Sequence, residues 1–129
     1  MRRLIGVVLA VFAIGHAASA ADLSHLRAQA GQYTDVLLAD PALTAALHEV
    51  LGSDYDSFME AIGVVFPSTL VDDRYLIAEG CKAHDCGAQG GLVLIDLATG
   101  DVMAVRKGTY GYAQTSPAAD DYIANWRTQ

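Results

Sequence analysis

The chain is poor in positive charge. Eight Lys and Arg face fifteen Asp and Glu over 129 residues. A balance this acidic argues against nucleic acid and against anionic lipid, and it suits a cationic partner drawn in by the field. Internal repeats, low-complexity tracts and linkers are also missing, so the chain has room for one domain around one core. No Ser-His-Asp order, glycine-rich phosphate loop or metal-binding motif is present, and the chain is read as a non-enzyme without a cofactor. Cysteine is nearly absent. The two that exist, Cys81 and Cys86, bracket "CKAHDC" between Gly80 and Gly87.

The N-terminus predicts what those cysteines do. Arg2 and Arg3 lead into "LIGVVLAVFAIG" and then "AASA", where Ala18 and Ala20 flank Ser19. This is the grammar of a secretory leader, and the apolar run is too short to span a bilayer comfortably. Residues 1–20 are expected to be removed after export to the periplasm, leaving a single soluble domain over 21–129 with no membrane role. Without Arg2 and Arg3 that domain carries six basic against fifteen acidic side chains, a net charge of −9.

Along the mature chain, the first half reads as helices with one apolar face. "LSHLRAQAGQYTDVLLA" is helical in pattern, with Gly31 as a weak point. Asp40 suits an N-cap and Pro41 a first helical turn, followed by a stripe of Leu43, Leu47, Val50 and Leu51 that stops at Gly52. Ser53 is expected to cap the next helix, whose stripe is Tyr55, Phe58, Met59 and Ile62 and whose end is Gly63. After Pro67 the pattern turns to strands: a β-rich stretch around Arg74 to Ala78, the apolar run "GLVLIDLA", and the alternating "DVMAVRKG". "ATGD" predicts a hairpin turn with Gly100 at positive φ, and Asp72 and Asp73 predict a turn before a strand. The expected fold class is α+β, an antiparallel β-sheet of three to five strands flanked by short helices. His25 and His48 read as solvated helix residues. Trp126 reads as late core or a dimer contact, and "DYIANWRTQ" fits either a short helix or a last strand.

The "CKAHDC" segment is then a loop at the end of the sheet. In an oxidising compartment its cysteines are expected to form a disulfide, which stabilises the fold by only about 2 kcal/mol because the ring is small. Its larger effect is to stiffen Lys82, Ala83, His84 and Asp85 on an exposed tip, as a binding epitope requires. Three other readings stand beside this one: a zinc site using Cys81, His84 and Cys86, a redox dithiol, and a plain structural staple.

"GCKAHDCG", with the upstream "YTDVLLADPALTAALHEVL" and the downstream "AQGGLVLIDLATGDVMAV", resembles the Ivy family, inhibitors of vertebrate lysozyme. The similarity runs from about Tyr33 to Arg106. It implies a periplasmic, often dimeric, Ivy-like inhibitor whose disulfide loop enters the cleft of a c-type lysozyme. His84 would then lie against the two catalytic carboxylates, with Lys82 and Asp85 around it and Cys81–Cys86 holding the shape. A rigid imidazole between two such carboxylates blocks substrate and hydrogen-bonds both. The family usually has proline where Ala83 stands, and the loss of that φ restraint loosens the free loop by about 0.4–1 kcal/mol. The alternative functions are a periplasmic regulator of endogenous lytic transglycosylases, a related class of muralytic enzyme, and a metal-binding or structural envelope domain.

Overall fold

A computed structural model describes residues 22–106 and Asp121. The expected leader at 1–20, Trp126 and the rest of the C-terminal tail lie outside the described residues.

Asp40 starts the longest helix as its sequence predicts. One carboxylate oxygen accepts from the amides of Ala42 and Leu43 at 3.0 and 3.1 Å, and Pro41 occupies the first turn, where no backbone donor is needed. The helix, α2 (Pro41–Leu51), buries Leu43, Leu47 and Leu51 and ends at Gly52, whose φ of 52° lies in the left-handed region. Before it, Gly31 at φ 89° divides the predicted long N-terminal helix into a 3-10 turn at Ser24–Gln29 and a short α1 (Thr34–Leu38). After it, the expected cap at Ser53 does not form. Ser53 lies within a 3-10 turn, Gly52–Asp54, that runs straight into α3 (Tyr55–Ala61), and no side chain caps that helix. With the helical backbone already begun, Ser53 is not at a boundary where a cap has a role.

The strands are β1 (Val64–Val65), β2 (Thr69–Val71), β3 (Tyr75–Cys81), β4 (Gly90–Asp96) and β5 (Val102–Arg106). They form one antiparallel sheet in which β3 pairs with β4 and β4 with β5, while β1 and β2 share the other edge of β3. Pro67 lies in the gap between those two short pieces, which is where a residue without an amide donor is tolerated at a sheet edge. The two predicted turns are present. Gly100 has φ 79° between β4 and β5, and Asp72 and Asp73 have φ 53° and 52° where the Arg74 amide donates to the Val71 carbonyl at 3.1 Å. Positive φ at both central residues makes this a type I′ turn.

Leu76, Ala78, Val93, Ile95, Val102 and Ala104 point to one face of the sheet and pack with Leu26, Leu37, Leu43, Leu47, Leu51, Phe58 and Ile62. The alternate residues Tyr75, Ile77, Leu92, Leu94, Met103 and Val105 form a second buried cluster with Val71 against it. Burial on both faces explains why β4 reads as a continuous apolar run rather than an alternating one. Buried polar groups tie the N-terminal segment to the sheet edge. The Thr34 hydroxyl lies 2.8 and 3.0 Å from the Glu79 and Phe66 carbonyls, and the Ser68 hydroxyl lies 2.7 Å from that of Gln32. At the far end, the Asp96 carboxylate is buried and accepts two hydrogen bonds from Arg74, 2.9 Å from Nε and 2.7 Å from Nη2.

Candidate functional site

The β3–β4 connection begins next to a pair of glycines packed under α3 and β1. Gly80 and Gly91 face each other across the pair. A Cβ on Gly80 would approach the Ile62 Cβ and the Ile62 and Val64 carbonyls to 2.8 Å, and one on Gly91 would overlap Ile62 and approach Phe58 to 3.0 Å. The glycines therefore let α3 and β1 close on the base of the loop. Cys81, the last residue of β3, is buried, and Cys86 is exposed. Their sulfurs are bonded to each other across Cα atoms 4.8 Å apart. With that bond formed, neither sulfur is available as a thiolate ligand for zinc.

Inside the ring, the Asp85 amide donates to the Lys82 carbonyl at 3.0 Å, closing a β-turn with Ala83 and His84 at its centre. His84 has φ 66°, and Ala83 is not among the residues with positive φ. Positive φ at the second central position alone defines a type II turn, the turn that prefers proline at the first position and glycine at the second. Histidine tolerates the left-handed region better than most side chains, yet the conformation still costs on the order of 1–2 kcal/mol. The imidazole is consequently thrown out to solvent at the tip, and Ala83 beside it is exposed.

The structure therefore brings all four predicted loop residues together and gives them different surroundings. Lys82 is half-buried and reaches back to Glu60 on α3, Nζ to Oε1 3.4 Å. Its amide donates to the Gln89 carbonyl at 3.1 Å, so the neck of the loop is pinned on both sides. The Asp85 carboxylate accepts from the Gln89 side-chain amide at 2.8 Å, and its carbonyl accepts from the amides of Ala88 and Gln89 at 3.1 and 2.9 Å. Asp85 thus acts as the buttress of the loop while His84 is its tip. Glu60 and Gln89 escaped the sequence reading because each is distant from, or outside, the cysteine bracket. The spacing of Asp85 and Gln89 by four is the one signal that could have suggested a local turn.

The other two histidines among the described residues, His25 and His48, are more engaged than their sequence context suggested. His25 Nε2 lies 2.7 Å from the Asp40 carboxylate that caps α2, and the His48 ring stacks on Tyr55 with centroids 3.6 Å apart. Both contacts staple helices and lie apart from the loop in the chain. Among the described residues no cluster of three or more His, Cys, Asp or Glu is arranged to hold a metal ion.

Searches of curated proteins and of solved structures return no significant match. A family model described as inhibitor of vertebrate lysozyme (Ivy) matches residues 42–128. The match covers well over half of the chain, includes the whole disulfide loop and extends beyond β5 into the C-terminal tail. On that match, the chain belongs to the Ivy family of lysozyme inhibitors.

Proposed function

We propose that the protein is an exported inhibitor of c-type lysozyme that acts in the periplasm after loss of residues 1–20, with the loop from Cys81 to Cys86 as the plug for the enzyme's cleft. The observation that carries this reading is His84. It is exposed at the second central position of a hydrogen-bonded turn, in a left-handed conformation, inside a disulfide ring. Backbone strain in a residue other than glycine persists only where the surroundings enforce it, and it concentrates at binding sites. Here the ring, the Lys82–Gln89 pairing and the Asp85 buttress do the enforcing. The ordering cost of the tip is therefore met in the free protein, which favours tight association.

The chemistry at the far side is complementary. Glycoside hydrolysis uses two carboxyl groups flanking the scissile bond, and an imidazole inserted between them can hydrogen-bond to both while excluding the sugar. The acidic balance of the chain accelerates encounter with a basic enzyme. The test is inhibition of a c-type lysozyme by the mature, oxidised protein and by His84→Ala. The variant is expected to lose roughly 30-fold or more in potency, the scale of a central hot spot, with an unchanged melting midpoint. Equal inhibition by the two proteins would remove His84 from the mechanism. If neither inhibits, the endogenous lytic transglycosylases become the enzymes to assay.

A further inference from the structure

We infer that the apolar edge formed by Tyr33, Val36, Val64 and Phe66 is a second contact surface for the same lysozyme, seated on the rim of the cleft that the loop enters. The inference rests on the loop reading above and adds a separate surface to it.

These four are the large hydrophobic side chains left exposed among the described residues, at 54%, 44%, 38% and 43% of their full accessibility. Single exposed hydrophobics are ordinary, and what gives these weight is that their backbone segments are bonded to one another along the edge of β3. The place adjoins the loop. Val64 is the register partner of Cys81, where the disulfide ring begins. Two residues further, the Phe66 amide donates to the Glu79 carbonyl at 3.1 Å, so Val64 and Phe66 share one side of the strand. Tyr33 bridges to Pro67, and the Thr34 amide donates to the Phe66 carbonyl at 3.0 Å, which sets α1 and its Val36 beside them. The backbone beneath the patch is thereby fixed by the same buried Thr34 hydroxyl that bonds the Phe66 and Glu79 carbonyls.

Size supports the same occupant. A specific, stable complex buries on the order of 800 Å² on each partner. A six-residue ring presents only about 200 Å², since an interface of roughly 800 Å² per partner draws on about 20–30 residues. An inhibitor of that interface size must therefore use surface next to the ring, and Val64, paired with Cys81, begins the exposed apolar edge at the ring's base. Asp35, exposed between Thr34 and Val36, supplies a negative charge at the rim of the patch for a cationic enzyme. Packed around the plug, such side chains exclude water from the His84 contacts and lengthen the life of the complex.

The test is surface-immobilised c-type lysozyme probed with the wild-type mature protein, Phe66→Ser, Val36→Ser and His84→Ala, with melting midpoints measured in parallel and the sedimentation of wild type and Phe66→Ser compared. Phe66→Ser is expected to weaken binding at least tenfold, mainly through faster dissociation, at an unchanged midpoint, and Val36→Ser to weaken it by less. Wild-type affinity in both serine variants, with binding lost in His84→Ala, would overturn the edge contact and leave the loop reading intact. No binding by the wild type would overturn both. A wild-type dimer that Phe66→Ser dissociates without changing lysozyme affinity would assign the edge to self-association instead.

Discussion

His84 occupies a conformation that an ordinary side chain adopts at a cost, and Ala83 precedes it at a position where proline is favoured. Ala83→Pro should therefore suit the turn: the Ala83 amide appears in none of the loop's hydrogen bonds, which run from the amides of Lys82, Asp85, Ala88 and Gln89. Fewer unfolded and unbound loop conformations translate to about 0.4–1 kcal/mol, or roughly two- to fivefold tighter inhibition with a slightly higher melting midpoint. Weaker inhibition by Ala83→Pro, measured under the same conditions as wild type, would contradict a type II turn in the bound loop. At this scale the sequence was only partly legible. The bracket around Lys82, Ala83, His84 and Asp85 and the pairing of Cys81 with Cys86 were legible from residue types. The left-handed His84 was not, because positive φ at a histidine is imposed by the closed ring rather than by its own preference.

Among the elements, the helical half was legible wherever a cap, a stripe and a stop agreed, as in α2 from Asp40 through Leu51 to Gly52. The reading failed where two helical pieces merge without a break, at Ser53, and where an element is too short to carry a pattern, as in the two-residue β1. β1 matters because it closes with α3 on the base of the loop through Gly80 and Gly91, and glycines in strands carry no periodic signal that would announce such a contact. Gly91→Ala is expected to force Ile62 and Phe58 apart and to destabilise the protein by about 1–3 kcal/mol in denaturant titration. The loop should be disturbed as well, so inhibition should fall with stability. A stability within a few tenths of a kcal/mol of wild type would show that α3 does not press on the strand pair as described.

For the whole molecule, acid stability is set in part by the far end of the sheet. Hydrogen bonds from Arg74 hold the Asp96 carboxyl below its ordinary value of 3.8, against the opposing effect of burial, and the Ala98 amide adds to the lowering. A depressed carboxyl contributes stability that is fully present above the unfolded value and is lost as pH falls through the folded one. The stability difference between wild type and Asp96→Asn should accordingly be constant above about pH 5 and shrink toward zero as pH drops below 3.8. Denaturant midpoints for both proteins between pH 2 and 7 check this, and a difference that grows in acid would refute the pairing. The Arg74–Asp96 pair itself was invisible in the sequence, because it joins the turn before β3 to the end of β4, and only the register of the folded sheet brings the two together. The α+β class, the β4–β5 hairpin and the place of the loop were legible, since each follows from apolar periodicity and turn chemistry along the chain.

The central claim, that the ring from Cys81 to Cys86 fills the catalytic cleft of a lysozyme, is tested most directly by competition. The mature, oxidised protein is titrated onto a c-type lysozyme in the presence of rising concentrations of a chitin trisaccharide that occupies the cleft. The account predicts that the apparent Kd rises in proportion to the sugar concentration, because both ligands need the same site. Affinity that stays constant while the cleft is saturated with sugar would contradict it, and would place the binding surface outside the active site.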